Sequence, residues 1–117
     1  MNRAETFAAG LLGISGVAAA ALSAHAGSDP RVMGAVALIC LTHAPALLAI
    51  GLFGKSQPFL RLAGLLLFIG AALFGSDLAL REFGHARLFP MAAPAGGVTM
   101  MAGWLVAGLT GLFSRKA

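Results

Sequence analysis

Charged residues and cysteine are what this chain contains least of. Eight Lys or Arg and four Asp or Glu make up 10% of its 117 residues, whereas 59% are hydrophobic. So few charges cannot cover the surface of a soluble domain, and the composition therefore excludes an ordinary soluble globular protein. The single cysteine, Cys40, lies inside an apolar stretch and excludes an intramolecular disulfide framework. A buried structural thiol is the favoured interpretation.

The net charge of +4 does not indicate a nucleic-acid partner. The basic residues are scattered at the ends of apolar segments, whereas binding to nucleic acid needs them clustered on one face. Such a distribution is typical of membrane anchors and topology signals. The sequence also has no catalytic, metal-binding or nucleotide-binding motif, and catalysis needs a nucleophile, a base and a charge stabiliser around one pocket. We therefore expect neither an enzyme nor a bound metal.

Four long apolar runs fill the chain, at 6–28, 32–54, 62–80 and 88–114, and Asp77 is the only charged residue within them. Each run reaches the roughly 18 to 20 residues that cross a hydrocarbon core of about 30 Å. The sequence predicts one transmembrane domain over 1–117, with helices at about 4–26, 31–53, 59–81 and 94–113. Because the connections are short, we expect consecutive helices to be antiparallel. The predicted fold class is all-α, an integral membrane, up-down four-helix bundle.

The first apolar run also resembles a signal peptide. Arg3 precedes it, and the triplet Ala24-His25-Ala26 follows it in the manner of a cleavage site. Two features favour a retained transmembrane helix instead. Glu5 counters the charge of Arg3, and the apolar run is longer than a usual signal core.

Positive charges on the two sides of a four-pass chain predict its orientation. Five lie on the side that holds both termini and three on the other, so the positive-inside rule places both termini in the cytoplasm. The five are Arg3, Lys55, Arg61, Arg115 and Lys116, and the three are Arg31, Arg81 and Arg87.

His43 is the polar residue predicted to lie deepest in the membrane. It follows Arg31 by twelve residues, which is about 18 Å along a helix and close to the bilayer centre. Polar groups at that depth are costly and mark candidate functional sites. A hydrogen bond to a neighbouring helix and a ligand site both remain open.

Asp77 is shallower, about one turn inside Arg81, its (i, i+4) neighbour. An ion pair with Arg81, or hydrogen bonds from Asp77 to another helix, would lower the cost of burying this carboxylate. His25 lies at a comparable depth at the end of the first helix, so His25, Asp77 and Arg81 form a predicted cluster at the outer mouth. The cluster is either a polar clasp that fixes helix register or a site for a proton, an ion or a small ligand.

The histidine spacing argues against haem, which membrane bundles often hold between two histidines. The depths of His25 and His43 differ by more than about 10 Å, so one porphyrin cannot be ligated by both. His85 lies in a predicted loop and offers no better partner. We expect no cofactor.

Small residues supply the predicted helix contacts, because packing in lipid gains little from hydrophobicity. Gly16 and Ala20 form a small-residue ridge on the first helix, and Gly96 and Gly97 lie on the fourth. Trp104 falls near the middle of the fourth helix and outside the usual interfacial belt. We expect it to face the bundle or a partner protein.

Several segments in order resemble one family of small membrane proteins. They are Ala24-His25, Thr42-His43-Ala44, Leu73 to Arg81, and Leu88 to Gly97 followed by Gly103-Trp104. Together they are similar to the YgdD/YwdK-type inner-membrane proteins, a family of unknown function. The resemblance implies a four-helix fold in the bacterial cytoplasmic membrane, with His25, His43, Pro94, Gly96 and Gly97 as family positions. It implies no biochemical activity.

Two function classes make different demands on these residues. In the first, the chain is a non-catalytic accessory or scaffold component. Its partners would be the lipid bilayer and either a larger membrane complex or further copies of itself. In the second, it binds or conducts a proton, ion or small ligand through His43 and the cluster of Asp77, Arg81 and His25. The first class is the favoured hypothesis.

Overall fold

The computed structural model describes residues 2–25, 29–84 and 88–113, and these form four helices without a strand. The helices are α1 (Arg3–Ala24), α2 (Pro30–Phe53), α3 (Pro58–Glu82) and α4 (Ala92–Leu112). All four are long and apolar enough to cross a membrane. The all-α prediction with four helices is confirmed. The predicted end of the first helix at 26, His85, and Arg87, Arg115 and Lys116 of the charge count lie outside the described residues.

Local capping chemistry explains where α1 and α2 start. The Asn2 side chain accepts hydrogen bonds from the Ala4 and Glu5 amides at 3.1 and 3.4 Å. Asp29 accepts from the Arg31 amide at 2.9 Å, and Pro30 opens α2 where a missing N–H costs nothing. In contrast, α4 starts after Met91, which is left-handed (φ 69°) and provides no side-chain cap.

Two tightly packed helix pairs make up the molecule. Helix α1 packs on α2, α4 packs on α3, and the pairs join through α2 and α3. In the described residues, α1 barely touches α3, and the backbone of α4 approaches neither α1 nor α2. As a result, the α4 backbone packs closely along α3 alone, and α4 is the least buried of the four helices.

Small residues bring each pair together. A Cβ on Gly96 would lie 2.6 Å from the Gly70 carbonyl oxygen, and a Cβ on Gly16 would lie 2.6 Å from Leu41 Cγ. Both glycines are therefore at helix contacts, α3 with α4 and α1 with α2. Ala20 is half-buried against the core, whereas a Cβ on Gly97 would meet no atom within 4 Å. Gly97 thus faces open space beside the α3–α4 contact.

Candidate functional site

Asp77 is buried near the end of α3, with 2% of the residue exposed. Its Oδ2 lies 3.3 Å from Arg81 Nη2, and its Oδ1 accepts a hydrogen bond from the Leu88 amide at 3.0 Å. Of the two alternatives that the sequence left open for Asp77, the structure therefore shows the (i, i+4) ion pair. The second oxygen also ties down the segment that leads into α4. Each carboxylate oxygen has a partner, which offsets the desolvation of the charge.

A groove of about 490 Å³ opens beside this ion pair, between the second half of α3 and the first half of α4. We call it the α3–α4 groove. Its walls are apolar apart from Asp77 and Arg81, and Gly97 leaves a gap in the α4 side. The other lining residues are Phe74, Met91, Ala92, Ala93, Pro94, Val98 and Met101.

A second polar contact joins the end of α3 to the start of α2. Glu82 Oε2 accepts a hydrogen bond from the Asp29 amide at 2.7 Å. Asp29 Oδ1 also lies 3.7 Å from Nε of Arg31, whose side chain is almost fully exposed. The last turns of α3 therefore hold both the segment before α4, through Asp77, and the start of α2, through Glu82.

His25 does not join the predicted cluster in the described contacts. It is exposed, and no described polar contact connects it to Asp77 or Arg81. The physical reason is the helix arrangement: α1 packs on α2 and barely touches α3. Equal depth along two helices does not bring side chains together when the helices are not neighbours.

His43 is buried at the middle of α2, and both of its ring nitrogens are engaged. Trp104 Nε1 donates a hydrogen bond to His43 Nε2 at 3.1 Å, and the two rings meet edge to face. An indole N–H can only donate, so Nε2 accepts and the proton of a neutral imidazole resides on Nδ1. Nδ1 lies 2.8 Å from the Ile39 carbonyl and donates to it.

The His43–Trp104 pair spans two helices whose backbones do not approach each other. Trp104 thus faces the bundle through its N–H edge while 48% of the residue stays exposed. Sequence reasoning located both residues near the middle of their helices and did not pair them. The signal in the sequence that could have predicted the pair is that both residues lie near the middle of their helices.

Glu5 is a buried carboxylate that sequence reasoning missed. Only 8% of it is exposed, in the first turn of α1. Oε1 accepts from Asn2 Nδ2 at 2.5 Å, while Oε2 has no hydrogen-bond partner among the described residues. Oε2 faces Gly64 of α3, where any side chain would overlap it. The signal in the sequence was an acidic residue in the first turn of an apolar helix. In the structure, Arg61 on α3 also interacts electrostatically with Glu5.

The family described as "Protein of unknown function (DUF423)" matches residues 19–97, more than half of the chain. The chain belongs to the DUF423 family. No curated protein and no solved structure matches it.

The DUF423 match covers His43, Asp77, Arg81 and the Pro94 to Gly97 stretch, and so includes most of the α3–α4 groove. Glu5, Gly16 and Trp104 lie outside it. Within the described part of this DUF423 protein, no three His, Cys, Asp or Glu residues are grouped to hold a metal ion.

Proposed function

We propose that this DUF423 protein is a non-catalytic accessory component that packs with other proteins of a bacterial cytoplasmic membrane. In this proposal the four helices cross the membrane in an up-down arrangement with both termini in the cytoplasm. The chain would be one of the YgdD/YwdK-type inner-membrane proteins, which its sequence resembles.

The His43–Trp104 hydrogen bond carries the proposal. It occupies Nε2 of the deepest histidine, and the Nδ1–H donates to the Ile39 carbonyl, so the imidazole has no free nitrogen for substrate or proton exchange. The same bond holds Trp104 at a defined place on the open side of α4. A large aromatic residue that is already immobilised loses little further entropy when a partner helix covers it.

The orientation and the partner need separate tests. A phosphatase fused to the C-terminus should be inactive in cells if that terminus is cytoplasmic, and an active fusion would reverse the orientation. For the partner, a tagged chain at native expression level should be purified in gentle detergent and the intact complex weighed by native mass spectrometry.

A stoichiometric second membrane protein should co-purify, and Trp104→Ala should release it. Phe7→Ala is the matched control, because Phe7 is an exposed aromatic residue on α1, and the backbone of α1 does not approach α4. Recovery of a pure monomer from wild-type cells would contradict the accessory role. Equal loss of the partner in both variants would contradict a specific role for Trp104.

A second candidate is the binding of a small ligand, proton or ion by Asp77 and Arg81. The α3–α4 groove beside the ion pair favours a bound ligand. A conduction route through His43 is less favoured, because no described polar contact connects His43 to Asp77. Asp77→Asn should abolish such an activity while leaving the helix content unchanged by circular dichroism.

A further inference from the structure

The α3–α4 groove has two chemically different ends. Beyond its one charged end, the walls are aliphatic or aromatic and uncharged, and they include Phe74, Val98 and Met101. Asp77, Ala92 and Ala93 form a buried floor, whereas Met91, Val98 and Met101 are exposed along the rim. A groove of this kind suits an elongated apolar chain that carries one polar end.

The charged end favours an anion. Arg81 forms an ion pair with Asp77, but none of its five side-chain N–H donors takes part in a described hydrogen bond, and its side chain is 37% exposed. Both Asp77 oxygens are engaged internally. The uncapped start of α4 lies on the same groove and adds a partial positive charge. The Arg81 guanidinium is therefore available to bind a phosphate.

We propose that the α3–α4 groove binds one acyl chain of an anionic phospholipid, with the lipid phosphate at Arg81. The acyl chain would run past Gly97, between Phe74 and the rim residues Met91, Val98 and Met101. Helix association in membranes favours a continuous small-residue face. Here Gly96 is already packed against Gly70, and bulky Val98 and Met101 flank Gly97. The groove therefore suits a lipid chain better than a helix.

This inference rests on the membrane placement in the proposed function, and the two can fail separately. If the full-length chain pelleted with membranes and resisted a carbonate wash, the placement would hold whatever the lipid result. The lipid test uses the purified chain in nanodiscs of equal phosphatidylglycerol and phosphatidylcholine. Lipids retained after detergent release are then counted by native mass spectrometry.

Gly97→Leu is the blocking variant, because a Cβ there meets no atom within 4 Å and Gly97 lines the groove, so that a larger side chain extends into it. Gly108→Leu is its matched control, since Gly108 is an equally open glycine of α4 outside the groove. Met101→Phe on the rim is a second blocking variant, which keeps the test decisive if Gly97→Leu fails to fold. Arg81→Gln tests recognition of the headgroup.

We expect the wild type and Gly108→Leu to retain phosphatidylglycerol in preference to phosphatidylcholine. Gly97→Leu and Met101→Phe should retain neither. Arg81→Gln should reduce retention of phosphatidylglycerol about tenfold, which is about 1.4 kcal/mol, because the phosphate loses its charge-assisted hydrogen bond.

Unchanged retention in both blocking variants, or no preference between the two lipids, would overturn the proposal. So would a wild-type dimer that Gly97→Leu splits while lipid retention stays constant, because the groove would then hold a second copy of the chain.

Discussion

Two buried carboxylates near opposite ends of the molecule are stabilised in different ways. Asp77 has a partner for each oxygen, the Arg81 guanidinium and the Leu88 amide, and it holds a connecting segment in place. Glu5 has a partner for one oxygen, and the other faces the bare backbone of Gly64. The difference indicates that polar side chains organise the Asp77 end, whereas close backbone packing organises the Glu5 end.

Backbone contacts at the Glu5 end support this view. The Asn2 amide donates to the Gly51 carbonyl at 2.6 Å, which joins the start of α1 to the end of α2. A Cβ on Gly51 would lie 2.9 Å from the Thr6 amide nitrogen. The Asp77 end instead has the open groove beside Gly97.

The largest expected effect is therefore steric. Gly51→Ala should destabilise the fold by about 3 kcal/mol, because the new methyl group overlaps Thr6 backbone that cannot move without separating α1 from α2. Gly34→Ala is the control, since it adds the same methyl group to α2 in open space and gains helix propensity. Thermal unfolding in detergent micelles measures both. Equal stabilities of the two variants would contradict tight backbone packing at the Glu5 end.

A smaller loss is expected from breaking the Asp77 contacts. Asp77→Ala should cost about 2 kcal/mol, because the Leu88 amide loses its acceptor and Arg81 loses its partner. Asp77→Asn should recover part of this loss, since an amide oxygen can still accept from Leu88. The same unfolding assay separates the two variants. If Asp77→Asn proved as unstable as Asp77→Ala, the hydrogen bond to Leu88 would contribute nothing measurable.

The smallest effect is expected at Glu5. Glu5→Gln should change stability by no more than about 0.5 kcal/mol, because it keeps an oxygen for Asn2 and removes a buried charge whose other oxygen lacks a partner. The informative quantity is the difference between Glu5→Gln and Asp77→Asn under identical conditions. A cost at Glu5 as large as that at Asp77 would show that the two carboxylates are held alike.

The sequence predicted those features that depend on position along one helix. Run length and hydropathy predicted four helices. The four-residue spacing of Asp77 and Arg81 predicted that they share one helix face and made an ion pair one of two alternatives, because this follows from helix geometry alone. Three features depend instead on which helices are neighbours and on how each helix is rotated about its axis. They are the separation of His25 from Asp77 and Arg81, the His43–Trp104 pair and the burial of Glu5. Hydropathy reports depth along a helix and carries no information on helix neighbours or helix rotation.

The His43–Trp104 pair also makes the protein its own optical probe. Trp104 is the only tryptophan and there is no tyrosine, so intrinsic fluorescence excited in the near ultraviolet comes essentially from one indole. That indole touches an imidazole on α2 while its own helix packs on α3. A change in emission would therefore report the separation of α4 from α2, even where the helix content measured by circular dichroism stays constant.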